Sequence, residues 1–528
     1  MALLGWPQTK IRNYPTVSSA PTFFERHFAK VAVGVLALAA FNLMWRLNAE
    51  VVSEWDESLY AISAWEMIRS GRWIGTTFLG DLDYYNVKPP LNVWLVALSF
   101  KALGASLVSM RLVSTLSACC TVAVLQVWVR RLTQPAVGLL AGVVLASSFA
   151  FVYVHAGRSG NADSLFTLLI LLTVIALWAA QDRPRRIVWV GPLAAAVFLL
   201  KGMAVLMPLS IVLAVEVWRR AHRRRREWIP VTCALLLFVV PVGVWIWSRW
   251  NLDQSRFLAR LFLYDFIGGS FTVLEGHEGG PLYYANVLQK YHYDWLLAGA
   301  AAWLLFPISR SELRNGLRCW WSASETSILL CSWATITVLI PTLMRTKNSW
   351  YLQPFYPVFA FGIAWLVVRG LTRPGNVRGS RRRQVVLASL VVMVFAVAEG
   401  RLVSYSYHYR DLEQSPQGLL LAETAQLAGQ QVFRDRWNYA EIFVVRALIG
   451  AEHRTAEDLD AFLRASRPGN YLLSTEPMDR SDLFMVRSNG RQWLYRRTAS
   501  TDQTSSPCDP ATSTCGNFPA RMAIPARE

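Results

Sequence analysis

Long apolar blocks recur along most of this chain and constrain its fold more than any other feature of the sequence. An α-helix needs roughly 20 apolar residues to cross the hydrocarbon core of a bilayer, and the blocks have about that length. Hydrophobic residues make up 54% of the chain and charged residues 17%. Soluble domains carry about 25% charged residues. The pattern therefore excludes an ordinary cytosolic enzyme, a disordered scaffold and a disulfide-stapled secreted module.

We predict an all-α polytopic membrane protein with about eleven transmembrane helices. The block from Ile187 to Trp218 is too long for one span and is interrupted at Lys201-Gly202, so it counts as two short helices joined by a tight turn. The first block follows a polar lead and lacks a small-residue cleavage site, which favours a membrane span over a signal peptide. The predicted spans lie near residues 30–49, 108–129, 136–154, 163–180, 187–200, 203–218, 228–247, 292–308, 326–343, 350–368 and 385–403.

The basic residues predict the orientation of the chain. The formal net charge is +18, from 53 Lys and Arg against 35 Asp and Glu. In a soluble protein this charge would indicate a nucleic-acid partner, but here the basic residues lie in short connections between apolar blocks, as cytoplasmic loops do. We therefore expect residues 1–29 in the cytoplasm and no nucleic-acid partner. The opposite face receives two long loops, about 50–107 and 248–291, and the chain after about 404.

The region 404–498 is predicted to be a small extracytoplasmic α/β domain. Thr455 is a candidate N-cap for a helix that runs to Leu463, and residues 470–474 and 492–495 have the pattern of short strands. The tail, 499–528, is rich in Ser, Thr and Pro and is predicted to be disordered. Cys508 and Cys515 lie in this tail, where a local disulfide is one of two open readings.

Two acids, Asp56 and Glu57, follow the first predicted span directly. A carboxylate at the rim of a bilayer is costly unless it is solvated or paired, so acids held there suggest a function. The alternative is that they only solvate a helix end. The segment from Ser58 to Arg69 is amphipathic and is expected to form a helix that lies on the membrane surface.

Three further clusters lie on the same face. Lys88 precedes Pro89-Pro90, where its ammonium could hold a phosphate or snorkel beside a structural turn. Asp163 opens the fourth predicted span, where it or a neighbouring Asn161 could be an N-cap. The cationic residues that accompany these motifs are Arg158 and Lys201.

The last two clusters carry His277 and Lys347. His277 could be a metal ligand, a proton carrier or an ordinary loop residue, and Tyr283-Tyr284 follow it. Lys347 precedes Tyr351 at the outer end of the ninth and tenth predicted spans. There is no Walker loop, no dinucleotide glycine fingerprint and no clustered Cys/His metal spacing in the sequence.

In this order the motifs resemble those of the GT-C type membrane glycosyltransferases, specifically the bacterial family of lipid A aminoarabinose transferases and relatives of the protein O-mannosyltransferases. The resemblance covers about residues 30–370 within a transmembrane catalytic domain, 30–403. The matching features are Asp56-Glu57, Lys88-Pro89-Pro90, Arg158 with Asp163, Lys201-Gly202, Gly276-His277 through Tyr283-Tyr284, and Lys347 with Tyr351, Pro354 and Pro357.

The resemblance implies an inverting transferase that uses a polyprenyl-phosphate-linked sugar at the outer face of a bacterial inner membrane. It implies that Asp56 is the general base and that Asp163 binds or orients the acceptor. Lys88 and Lys347 would hold the lipid phosphate. Glu57 is a further catalytic candidate, and Arg158, Lys201 and Tyr351 are further candidates for binding the phosphate-linked donor. In the aminoarabinose transferases a Glu usually precedes the Lys-Pro-Pro motif and belongs to a metal site with a His; here that residue is Val87, which leaves a divalent metal at His277 open.

Two other classes remain. A flippase of lipid-linked sugars needs the same basic phosphate site but no base, and a noncatalytic envelope scaffold needs neither. Transporters usually show a polar site near the middle of the membrane and repeated halves, and neither pattern is evident. The acids at the membrane rim disfavour a scaffold. The sequence therefore favours a transferase with an envelope lipid, polysaccharide or protein as its acceptor.

Overall fold

The computed structural model describes residues 23–222, 227–308, 324–373 and 380–498. It divides into two compact units. The first reaches Glu413 and also includes Tyr439–Phe443, and the second comprises Gln414–Asn438 and the chain from Val444 onward. Cys508 and Cys515, for which a disulfide is one of two open readings, the tail 499–528 that is predicted to be disordered, and most of the N-terminal segment 1–29 that is expected in the cytoplasm lie outside the described residues.

The first unit is helical. Its α-helices are α1 Phe23–Met44, α2 Asp56–Ser70, α3 Leu91–Leu103, α4 Leu107–Leu132, α5 Pro135–Ala146, α6 Phe149–Tyr153, α7 Asp163–Ala180, α8 Val190–Lys201, α9 Leu206–Ala221, α10 Trp228–Asp253, α11 Arg256–Arg260, α12 Gly269–Phe271, α13 Tyr283–Leu305, α14 Glu325–Leu343, α15 Tyr356–Leu371 and α16 Ser380–His408. A two-stranded hairpin, β1 Thr77–Phe78 and β2 Asp81–Leu82, lies between α2 and α3.

Within the described residues, eight helical segments are long and apolar enough to cross a membrane. One of them, Pro184–Ala221, contains both α8 and α9. The chain is therefore a multi-pass membrane protein, and the count of eleven spans stays a prediction. The eight segments are Phe23–Ala49, Leu107–Leu132, Asp163–Ala180, Pro184–Ala221, Trp228–Asp253, Glu325–Leu343, Ser349–Leu371 and Ser380–His408.

The break predicted at Lys201-Gly202 is confirmed. Helix α8 ends at Lys201, and Gly202 has a φ of 55°, a backbone conformation that residues with a side chain rarely adopt. A Cβ atom on Gly202 would also lie 2.9 Å from Leu261 Cδ1. The glycine thus allows the chain to turn at the point where Lys201 leaves the helix.

The third predicted span, 136–154, is not one continuous helix. It is divided at Ser147-Ser148 into α5 and the short α6. The Ser147 hydroxyl donates to Val143 O at 2.7 Å and accepts from the Trp295 indole at 3.1 Å. The serine hydroxyls provide polar partners in an apolar region, which a hydropathy count does not detect.

Helix α2 differs from the amphipathic surface helix that the sequence predicts. Both its apolar and its polar residues are buried, from Glu57 through Ala64 and at Glu66 and Met67. It packs against α3 and against the helix Tyr439–Phe443. The helix is therefore part of the core of the first unit, and its first residue, Asp56, is fixed by that packing.

The second predicted outside loop is largely helical. Helix α10 extends to Asp253, and α11 continues into a π-helix, Leu261–Gly268, before α12. π-helical turns occur frequently at functional sites. Here the π-helix carries Asp265.

The second unit contains a five-stranded mixed sheet. Its strands are β3 Gln431–Arg434, β4 Glu452–Thr455, β5 Tyr471–Ser474, β6 Leu483–Ser488 and β7 Trp493–Arg497, in the order β4-β3-β5-β7-β6. The pairs β3–β4 and β3–β5 are parallel, and β5–β7 and β6–β7 are antiparallel. The helices are Pro416–Ala422, Thr424–Leu427, the π-helix Val444–Ile449 and Leu459–Ala465.

Two predictions for this unit need correction. Thr455 is the last residue of β4, and the helix Leu459–Ala465 is capped instead by Asp458, whose carboxylate accepts from Ala461 N at 2.6 Å. The Asp carboxylate satisfies an N-terminal donor that Thr455 does not reach. The predicted boundary at 404 falls inside α16, which extends to His408.

Candidate active site

A cavity of about 580 Å³ lies in the first unit, where the N-termini of α2 and α7 meet the turn after α8 and the π-helix. The structure brings six of the predicted site residues to its wall. These residues are Asp56, Lys88, Asp163, Lys201, His277 and Tyr351.

Asp56 is the first residue of α2 and is half-buried. The helix N-terminus favours a negative charge at this position. The preceding residue, Trp55, has φ 72° and ψ −121°, a conformation that costs energy in a non-glycine residue. Strained backbone of this kind occurs at functional sites because the surrounding fold holds it in place.

Glu57 was predicted as catalytic, but the structure places it away from the cavity. Its carboxylate is completely buried and accepts from Arg111 Nε at 2.8 Å, Gly160 N at 2.9 Å and Ser53 N at 2.7 Å. Desolvation raises the pKa of Glu57, but the charge and hydrogen bond of Arg111 outweigh it, so the pKa lies below its ordinary value. Glu57 therefore joins the start of α2 to the chain just before Asp163.

Asp163 and Lys201 form an ion pair at the cavity wall. Lys201 Nζ donates to Asp163 Oδ1 at 2.6 Å, and both side chains are largely buried. Asp163 is the first residue of α7 but makes no N-cap hydrogen bond, and the N-cap residue is Ala162. The N-cap alternative is thus wrong for Asp163. Asn161 donates to Ser159 Oγ.

Lys88 forms a second ion pair, with Asp265 of the π-helix. Its Nζ donates to Asp265 Oδ1 at 2.5 Å, and about a quarter of each side chain is exposed. Desolvation lowers the pKa of Lys88, but the negative charges of Asp265 and Asp56 outweigh it and raise the pKa above its ordinary value. Lys88 therefore carries a positive charge at neutral pH and is held close to Asp56.

Besides Glu57, four predicted site residues do not line the cavity. Arg158 is buried and donates to Glu50 Oε1, Asn42 O and Trp45 O. Lys347 Nζ donates to the carbonyl oxygens of Pro341, Thr342 and Met344, so it caps the C-terminus of α14. These cations are used within the protein and are not available for a phosphate. The other two are Tyr283 and Tyr284, which pack edge to face at the start of α13.

The residues at His277 do not fit a metal site. His277 is exposed and lines the cavity, and its ring is edge-on to Trp350 at 6.1 Å. Among the described residues, no three His, Cys, Asp or Glu side chains lie close enough to hold a metal ion. Val87, where the resemblance to the aminoarabinose transferases predicts a Glu, is buried at the cavity wall. We derive no catalytic step through a metal.

Sequence reasoning missed several cavity residues. Asp265 is an isolated acid in an apolar segment, the same signal that identified Asp56. His155 lies between α6 and α7, and its ring stacks on Trp350 with centroids 3.8 Å apart. Tyr85 donates a hydrogen bond to Glu275 at 2.9 Å. These residues come from distant positions in the chain, and the sequence gives no indication that they converge.

Comparisons with known proteins agree with this fold. A family model for dolichyl-phosphate-mannose-protein mannosyltransferase matches residues 87–247. An undecaprenyl phosphate-alpha-4-amino-4-deoxy-L-arabinose arabinosyl transferase of Pseudomonas savastanoi pv. phaseolicola is 29% identical over 399 residues, which is 74% of this chain and 70% of the relative. A second such transferase, from Pseudomonas fluorescens, is 32% identical and aligns with 60% of this chain and 56% of its own length.

The solved structures show the same architecture. ArnT from Cupriavidus metallidurans, bound to undecaprenyl phosphate, aligns with 92% of this chain and 100% of its own, with a TM-score of 0.64 and 13% identity. The Archaeoglobus fulgidus oligosaccharyltransferase in complex with Zn and sulfate aligns with 84% of this chain and 68% of its own, with a TM-score of 0.50 and 11% identity. The chain has the fold of the GT-C type of membrane glycosyltransferases and is similar in sequence to transferases of that type.

Proposed function

We propose that this enzyme transfers a sugar from a polyprenyl-phosphate donor to a hydroxyl group of a cell-envelope acceptor, with inversion at the anomeric carbon. The observation that carries the proposal is the convergence of Asp56 with the Lys88–Asp265 and Lys201–Asp163 pairs on one cavity. The curated relatives are named for an undecaprenyl phosphate-linked aminoarabinose. That name supports an undecaprenyl-phosphate-linked sugar as the donor class and argues against the flippase alternative.

The chemistry needs a base on one side of the anomeric carbon and positive charge on the other. The acceptor oxygen attacks the anomeric carbon while Asp56 takes its proton. The bond from that carbon to the phosphate oxygen breaks, and its electron pair stays on the oxygen. The prenyl phosphate therefore leaves with one additional negative charge, and positioned cations stabilise such developing charge.

Each residue has a distinct part in this proposal. Asp56, half-buried at a helix N-terminus, is the general base. Lys88 and Lys201 interact with the phosphate, while Asp265 and Asp163 fix the positions of their ammonium groups. Tyr351, which also lines the cavity, contributes a hydroxyl to the donor site.

We infer that the cavity opens on the periplasmic face of the bacterial inner membrane, with a cytoplasmic N-terminus. The arginine-rich connections support this orientation because they all fall on the opposite side in the predicted topology. An Asp81→Cys variant of a cysteine-free chain tests it. A membrane-impermeant maleimide should label intact spheroplasts, and labelling only after lysis would reverse the orientation.

The Asp56→Asn variant tests the transfer reaction. In nanodiscs supplied with an undecaprenyl-phosphate-linked sugar and envelope extract, we expect turnover to fall by about 10²–10⁴-fold, the usual contribution of general base catalysis. Prenyl-phosphate binding should remain as in the wild type. Asp81→Asn is the matched control, because Asp81 is an exposed acid of the same loop outside the cavity.

Mass spectrometry of the released prenyl phosphate and of the glycosylated acceptor provides the measurement. Transfer at the wild-type rate by Asp56→Asn would contradict the assigned base. Movement of intact donor across proteoliposomes, without cleavage and equally in both forms, would favour a flippase.

A further inference from the structure

His155 is a cavity residue for which the proposed reaction has no role. Its ring stacks on Trp350, with planes 7° apart. Its Nδ1 lies 3.8 Å from Asp163 Oδ2, and its side chain is 21% exposed. No described residue forms a hydrogen bond with its Nε2. His155 thus presents one ring nitrogen to the carboxylate and leaves the other available.

The backbone conformation of His155 indicates that the surrounding structure holds this residue in place. Its φ is 54°, in the left-handed region. Non-glycine residues rarely occupy this region, and they persist there where the surrounding structure holds them. Two of the other non-glycine residues with positive φ in the described chain, Trp55 and Glu275, also line the cavity. The strain is thus shared by separate segments that meet at one site.

The cavity wall has more acidic than basic side chains, and a protonated His155 would reduce this difference. Five carboxylates line it, against two lysines. Each lysine is already paired with a carboxylate, Lys88 with Asp265 and Lys201 with Asp163. With neutral histidines the wall therefore carries an excess of negative charge, which opposes the binding of an anionic donor. Another positive charge is needed next to the phosphate.

The geometry points to His155 as that charge, and we propose that its imidazolium binds the donor phosphate through Nε2–H. Asp163 stabilises the protonated ring from the Nδ1 side and also holds Lys201, so one carboxylate aligns two cations toward the phosphate. Trp350 fixes the plane of the ring. This inference rests on the proposed function, since it requires a phosphate-linked donor.

Donor binding therefore depends on the protonation of His155. Affinity should decrease as the pH rises from about 5 to about 8, the range over which histidine side chains as a class lose their charge. The other titratable groups that face the cavity are Glu54, Asp56, Tyr85, Lys88, Asp163, Lys201, Tyr264, Asp265, Glu275, His277 and Tyr351. Of these, His277 is the second histidine, so it requires its own variant.

Binding of a prenyl methyl phosphodiester to the full-length chain in nanodiscs tests the proposal. This probe keeps one negative charge over about pH 5–8, the range in which an unperturbed histidine titrates. We expect wild-type affinity to fall by at least about tenfold across that range, because a charge-assisted hydrogen bond contributes roughly that factor. His155→Gln should bind weakly at every pH, and His155→Lys should bind tightly at every pH.

His222→Gln is the matched control. His222 also stacks on a tryptophan, Trp218, at 4.2 Å, but it is exposed and lies outside the cavity. Its variant should show the wild-type pH profile. Rescue by His155→Lys would exclude a purely structural role for the histidine.

A wild-type pH profile in His155→Gln would overturn the inference, and so would loss of the pH dependence in His277→Gln alone. Neither result would affect the proposed reaction, since that is tested by turnover in Asp56→Asn. Conversely, a pH-dependent phosphodiester site in a chain that shows no transfer would contradict the proposed reaction instead.

Discussion

Two groups of ion pairs in the first unit differ in what they leave available for a ligand. In the buried group, Arg111–Glu57 and Arg158–Glu50, every side chain is at most 2% exposed. The guanidinium of Arg111 also donates to the carbonyl oxygens of Leu47, Glu50 and Val51. Its hydrogen-bonding capacity is satisfied by the fold.

The cavity group, Lys88–Asp265 and Lys201–Asp163, keeps access to solvent. An ammonium has three donors, and no hydrogen bond within the described chain other than the one to its carboxylate is formed by either lysine. Burial and complete pairing thus separate the cations of the buried group from the cavity lysines, which keep donors for a ligand. Sequence position alone does not separate the two groups, because the neighbouring residues Asp56 and Glu57 lie on the cavity wall and in the buried group respectively.

The largest effect is expected from breaking the buried group. Arg111→Met should destabilise the protein by about 3–5 kcal/mol, because it leaves the Glu57 carboxylate buried without its partner. Thermal unfolding in detergent measures this. The double variant with Glu57→Leu should recover much of the loss, since a buried pair replaced by apolar residues is often tolerated. No recovery would mean that Arg111 acts mainly through its carbonyl partners.

Breaking the cavity group should affect catalysis and not stability. Lys88→Met should lower kcat/KM by about 10²–10³-fold, the usual effect of removing one group that stabilises a developing charge. The unfolding temperature should change little, because a partly exposed ion pair contributes about 0–1 kcal/mol. A large loss of stability with unchanged kcat/KM would place Lys88 in the buried group instead.

The pH dependence of stability sharpens the comparison. The pKa of Glu57 is lower in the folded protein than the ordinary value of 4.5, so its stabilising contribution is fully present above that value and is lost as the pH falls through the folded pKa. Glu57→Gln should therefore unfold with a weaker acid dependence than the wild type. Urea unfolding at a series of acidic pH values measures this, and identical slopes in the two proteins would contradict it.

The smallest effect is expected at Lys347, which the sequence assigned to phosphate binding. As a C-terminal helix cap it should contribute about 0.3–1 kcal/mol. Lys347→Met should therefore lower stability slightly and leave the KM for the donor unchanged. Steady-state kinetics at several donor concentrations provide the test. A large increase in KM would restore the original assignment.

The sequence predicted the class of the protein and much of its layout. The span 163–180 coincides with α7, and the break at Lys201-Gly202 is where α8 ends. Both follow from local properties, the length of an apolar block and the conformational freedom of glycine. The predictions that were wrong also relied on local properties of the sequence. Hydropathy does not register the serine hydroxyls that divide α5 from α6, and a helical pattern does not show that both faces of α2 are covered.

The sequence by itself determined that the chain lies in a membrane and which acids and cations occur between its helices, because chain length, hydrophobicity and charge are properties of each segment alone. Only the tertiary structure decided which of those residues share the cavity. Arg158 and Lys347 donate hydrogen bonds to backbone carbonyls, whereas Asp265 and His155 line the cavity. The physical reason is that pairing and burial depend on neighbours distant in sequence, and an unpaired charge is defined only once those neighbours are in place.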